Sequence, residues 1–173
     1  MAKKFGGKYS PDGDMGGDAP RAAVIDDRAV DAAGAKANIL CVPAIVLVAV
    51  KPQMMGEALP ALAALPKDGT VFLSVAAGVS IAGYEAALGK GACIVRAMPN
   101  TPAAVGKGIT AIVGNAKATG DDLDLAEALL KAVGQVVRLS DESQMDAVTG
   151  VSGSGPAYVF HMIETLAQAG AAQ

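Results

Sequence analysis

The chain has 173 residues, a formal net charge of −3, and 52% hydrophobic side chains, of which few are aromatic. A mildly acidic chain with no Lys/Arg cluster cannot neutralise a run of phosphates, which excludes nucleic acid as its main partner. Its longest apolar run, residues 39–50, is broken by Pro43 and falls short of the ~20 residues that cross a bilayer. No membrane partner is therefore expected. The N-terminal stretch MAKKFGGKYSPDG also lacks the apolar core of a signal peptide, so the expected location is cytoplasmic.

Residues 1–22 are rich in glycine and carry only scattered large apolar groups, with no period of 2 or 3.6. Such a segment buries too little to offset the ~1–2 kcal/mol per residue of backbone ordering, and is expected to be irregular. From there short apolar runs alternate with helical patterns. Residues 23–25 read as a strand, Asp26 and Asp27 as the cap of a helix to Ala33, and residues 39–42 and 45–50 as strands. The second of these has no polar alternation, as in a strand buried on both faces of a parallel sheet. A helix is expected over residues 52–65 and a strand over 70–75. Ser80 caps a helix to Leu88, strands cover 92–96 and 109–113, Thr119 caps a helix over 121–132, and the last strand covers 136–139. Strand–helix units of this length predict an α/β fold: a doubly wound, mostly parallel Rossmann-like sheet over residues 23–139.

After Leu139 the pattern is helix only. Residues 142–149 read as a short helix, residues 150–156 (GVSGSGP) as a hinge, and Pro156 as the first turn of a helix to about Ala169 with an apolar stripe. Cys41 and Cys93 lie in apolar runs without CxxC spacing and read as buried structural thiols. No cluster of His, Cys or carboxylates has metal-ligand spacing, so no metal is expected. The lone histidine, His161, reads as packing or surface.

Four stretches carry the chemistry. In Ala49-Val50-Lys51-Pro52 an apolar strand breaks into Lys-Pro, which turns the chain out of the sheet and leaves a cation over the cleft beyond the strand end. In residues 74–78 (SVAAG) a strand exit of small residues permits close backbone approach. Ala97-Met98-Pro99-Asn100 begins a proline-stiffened loop at the carboxyl edge, where open α/β sheets bind ligands. Ser152-Gly153-Ser154-Gly155 precedes a helix, whose N–H groups and dipole suit an anion such as a carboxylate. Each has an ordinary structural reading as well: a solvated lysine, a stiff loop, a glycine turn.

Taken together, in this order and spacing, these stretches resemble the pyrroline-5-carboxylate reductase family over about residues 45–170. The resemblance implies hydride transfer from NADPH or NADH to 1-pyrroline-5-carboxylate, giving L-proline. It implies cofactor contacts at Ala49, Val50, Lys51, Pro52, Ala97, Met98, Pro99 and Asn100, and substrate contacts at Ser152, Gly153, Ser154 and Gly155. Residues 140–173 would then begin a helical dimerisation domain, and a homo-oligomer through the last helix is expected. Glu164 also matches a family position. Catalysis in such a site is positioning of two rings and a carboxylate rather than acid–base chemistry, and no catalytic side chain is assigned.

The family's glycine-rich cofactor turn has its counterpart at residues 11–17, where Gly13, Met15, Gly16 and Gly17 fit and Pro11 replaces the first glycine. Pro11 has no N–H, and Asp12, Asp14 and Asp18 would repel a pyrophosphate. Losing three phosphate hydrogen bonds at ~1 kcal/mol each weakens cofactor binding by roughly two to three orders of magnitude. The family pattern continues past residue 173, so the chain is expected to hold only the start of the helical domain. Two readings follow: a proline-forming reductase, or an oligomerising α/β module without catalysis.

Overall fold

The computed structural model describes residues 22–26, 44–63, 65 and 69–172. The expected strand at 39–42, the helix after Asp27, Cys41 and the turn with Gly13, Met15 and Gly16 lie outside them. Among the described residues the apolar runs form one six-stranded sheet whose strands lie side by side in chain order: β1 (Ala22–Asp26), β2 (Ile45–Ala49), β3 (Val71–Ser74), β4 (Cys93–Met98), β5 (Gly108–Gly114) and β6 (Gly134–Arg138).

Strands β1 to β4 are parallel, with Ile25, Val48, Ser74 and Arg96 in one row across the sheet. Strand β5 runs against β4, and β6 is parallel to β5. The reversal has a plain cause. Only residues 99–107 link β4 to β5, and they hold a 3-10 turn, Thr101–Val105. That is too short for the crossover of a dozen or more residues that a parallel neighbour needs. Between β5 and β6 a full helix intervenes, and the parallel direction returns.

Helices α1 (Met55–Ala63) and α2 (Ile81–Leu88) cover one face; α3 (Gly120–Leu130) covers the other. Strand β4 shows how alternation serves both. Ile94 and Met98 join Leu62, Tyr84 and Leu88 in the first core, while Val95 and Ala97 join Ala126 and Leu130 in the second. The caps read from the sequence form: the Ser80 hydroxyl accepts from the Gly83 N–H at 3.2 Å, and Thr119 and Asp122 make a reciprocal capping box.

Beyond β6 a 3-10 turn (Glu142–Gln144) leads into α4 (Met145–Val148) and α5 (Gly155–Ala171). The expected hinge at 150–156 is not a hinge. Residues Thr149–Gly153 form a π-helix, closed by the Ser154 N–H donating to the Thr149 carbonyl at 2.8 Å, so the backbone stays helical from α4 into α5. Helix α5 then projects with every side chain from 157 to 172 exposed, rather than along one stripe. Among the described residues no helix is long and apolar enough to cross a membrane.

Candidate functional site at the carboxyl edge of the sheet

The row of Val48, Ser74 and Arg96 fixes the geometry of the edge. Parallel strands lie ~4.8 Å apart, so the segments that follow β2, β3 and β4 leave the sheet from neighbouring positions on one edge. Lys51 is extended (φ −66°, ψ 147°), as a residue before proline must be, and its carbonyl accepts from the Met54 N–H at 2.9 Å to start the turn at Pro52. Its side chain is exposed, as is Pro52, while Val50 is buried beneath them.

At the middle exit Ser74 is buried. Its hydroxyl takes the Ala76 N–H at 3.1 Å and meets the Tyr84 hydroxyl at 2.5 Å. Burial pushes the Tyr84 phenol above its ordinary value, against the opposing pull of the Ser74 hydrogen bond and the Arg96 charge. Ala77 and Gly78 beyond it are exposed, and Gly78 has φ +75°.

The third exit is tied to the helical segment at three points. Arg96, only 6% exposed, donates from Nη1 to Glu142 Oε1 at 2.7 Å. The same oxygen accepts the Ile81 N–H at 2.9 Å, at the start of α2. Two residues beyond Arg96, the Met98 side chain faces Gly153, where an added Cβ would sit 3.9 Å from it. Two further on, Asn100 donates from Nδ2 to the Ser152 hydroxyl at 3.4 Å, and its Oδ1 accepts the Ile109 N–H at 3.0 Å.

Met98, Asn100, Ser152 and Gly153 are thus brought together, with Lys51 and Pro52 two strands away on the same edge. Ala97 is fully buried on the opposite face, so only its backbone can serve this edge. Ser154 and Gly155 are half-buried where α5 begins, and the Ser154 N–H is already spent on Thr149. A shallow apolar groove lined by Ile109, Ala111, Val137, Leu139 and Val148 ends at Ser152. Among the described residues no group of His, Cys and carboxylates could hold a metal. His161 and Glu164 are exposed on α5. Cys93 is half-buried rather than buried; burial and then the neighbouring Asp122 push its thiol up to about 12.

Arg96 and Glu142 escaped the sequence reading. The available signal was a charge inside an otherwise apolar strand, which burial obliges to find a partner. Glu142 read only as part of a helix start.

A family model described as pyrroline-5-carboxylate reductase dimerisation matches residues 142–173. The chain is 40% identical over 150 residues to a pyrroline-5-carboxylate reductase of Pseudomonas aeruginosa, spanning 87% of this chain and 55% of that protein. It is 49% identical over 126 residues to one from Synechocystis, spanning 73% of this chain and 46% of the relative. The chain is similar to pyrroline-5-carboxylate reductases over most of its own length. It spans about half the length of the curated relatives it matches. Its fold follows that of the family: the crystal structure of a Plasmodium falciparum pyrroline carboxylate reductase with NADP bound superimposes with a TM-score of 0.69 at 32% identity, over 75% of this chain and 48% of that one. The family match to the dimerisation region begins at Glu142, the residue that pairs with Arg96.

Proposed function

We propose that the chain carries the cofactor-facing half of a reductase that uses NADPH or NADH to convert 1-pyrroline-5-carboxylate to L-proline. The observation that carries this reading is the Asn100–Ser152 contact, which joins the β4 exit to the helical segment on the edge where β2 and β3 also end. The edge carries small groups after β3: Ala76, Ala77 and Gly78 offer little bulk, and a Cβ on Gly78 would meet nothing within 4 Å.

In this reading Ala49, Val50, Lys51 and Pro52, with the backbone of Ala97 and with Met98, Pro99 and Asn100, border the dinucleotide. Lys51 offers its charge to a phosphate or to the substrate carboxylate. Ser152, Gly153, Ser154 and Gly155 hold the substrate, the Ser152 hydroxyl donating to its carboxylate while it accepts from Asn100. When bound, the reduced nicotinamide supplies the hydride that adds to the imine carbon. The residues themselves orient the reacting groups and exclude water.

Association with a second copy goes with the same reading. Tyr158, Phe160, Ile163 and Leu166 are all more than half exposed on α5, far more apolar surface than one helix of a monomer ordinarily shows water. That exposure is also what favours the second reading, an associating module without catalysis. Two measurements separate them. Loss of nicotinamide absorbance when NADPH and pyrroline-5-carboxylate are added supports the reductase, and no turnover above buffer removes it. Calorimetric titration with NADPH then tells a binding domain from a module with no cofactor site.

A further inference from the structure

We infer that Arg96 and Glu142 are positioning residues: their ion pair sets where the π-turn carrying Ser152 sits against the β4 exit. The pair is placed for that task. Arg96 lies on β4 four residues before Asn100, and Glu142 lies ten residues before Ser152, so the two polar contacts fasten the strand and the helical segment at two points. Between them Met145 is wholly buried in the core under α1 and α2 and anchors the short helix that connects them.

The pair also binds three elements at one atom. Glu142 Oε1 receives both the Arg96 guanidinium and the Ile81 N–H, so β4, the start of α2 and the segment after β6 meet there. Arg96 is buried and its Nε has no hydrogen-bond partner, and the carboxylate that its Nη1 meets is that of Glu142. Arg96 is the buried partner of the pair and Glu142 the more exposed one, so shifting Glu142 strands a buried charge, which is costly. That cost holds the segment in one register. The tether is long in sequence and short in space, and among the described residues no other side-chain hydrogen bond joins β4 to the segment 139–148.

The test is the double substitution Arg96→Met with Glu142→Gln. It removes both charges at similar volume, and the introduced amide oxygen can still accept from the Ile81 N–H. The chain therefore stays folded where Glu142→Ala alone would leave Arg96 unpaired. Amide hydrogen exchange is read by mass spectrometry on parent and variant. We expect peptides covering residues 149–157 to exchange about tenfold faster while peptides of β3 and β4 keep their protection. Unchanged exchange over 149–157, or a uniform rise along the whole chain, overturns the inference.

A kinetic arm rests on the reductase reading. The kcat/KM for pyrroline-5-carboxylate should fall roughly ten- to a hundredfold through KM, since misplacement by about an ångström can cost that much, while the Kd for NADPH stays within about twofold. A raised NADPH Kd with unchanged KM also overturns it. If the parent chain shows no turnover, the reductase reading falls by itself and the exchange result still decides the role of the pair.

Discussion

Asn100 holds Ser152 and the start of β5 at the same time, its Nδ2 donating to one and its Oδ1 accepting from the other. A residue expected to touch a ligand is thus first a brace between the loop after β4, the returning strand and the π-turn. Asn100→Ala should lower stability by about 0.5–1.5 kcal/mol, because the Ile109 N–H exchanges its side-chain acceptor for water. Asn100→Asp, which keeps that acceptor and loses only the donor to Ser152, should cost less. Urea denaturation midpoints of the two variants check the order, and equal losses would contradict the brace.

Lys51 stands exposed at the β2 exit, where the proposed dinucleotide passes. Lys51→Ala should weaken NADPH binding by about three- to tenfold, a modest factor because water screens an exposed charge. Lys51→Arg should preserve it. Calorimetry at two salt concentrations is the check, since a charge contact also fades as salt rises.

Cys93 gives the fold an alkaline limit. Its thiol is raised from 9.0 to about 12 in the folded state. The folded protein therefore keeps a proton that the unfolded chain has lost. Stability is whole below pH 9.0 and falls as pH rises toward about 12. Cys93→Ser should flatten this loss without abolishing it, because the Tyr84 phenol is raised too. Denaturation midpoints at about pH 8 and about pH 10.5 measure it. The same shift predicts slow alkylation of Cys93 near neutral pH.

Gly134 begins β6 directly against Gly108 at the start of β5. A Cβ there would collide with the Gly108 carbonyl, and φ is +149°. Gly134→Ala should therefore prise β6 from the sheet. Faster hydrogen exchange across residues 134–138 in the variant is the expected sign, and wild-type protection would show that the strands can part without cost.

Self-association is tested on α5. Phe160→Glu with Leu166→Glu replaces two side chains that are 64% and 65% exposed and so costs the folded monomer little. Sedimentation equilibrium should show the parent as an oligomer and the variant shifted toward monomer. A parent that remains monomeric at high concentration removes the proposal.

Much of the architecture was legible because its causes are local. The unbroken apolar run at residues 45–49 announced a strand buried on both faces, Ser80 and Thr119 announced helix starts, and the spacing of AVKP, MPNTP and SGSGP announced a family. Each signal depends on neighbours a few residues apart in the chain. The glycine–serine stretch at 150–153 misled for the same reason. Local propensity disfavours a helix there, yet Met145 in the core and Asn100 on Ser152 hold the backbone in a π-turn. Only the tertiary structure could decide that Arg96 meets Glu142 46 residues away, that Ala97 faces away from the site while Met98 faces Gly153, and that β5 runs back against β4. A buried charge must find a partner, but its own sequence neighbourhood does not say which. That choice is made when strands and helices pack, and the packing energy outweighs what any single residue prefers.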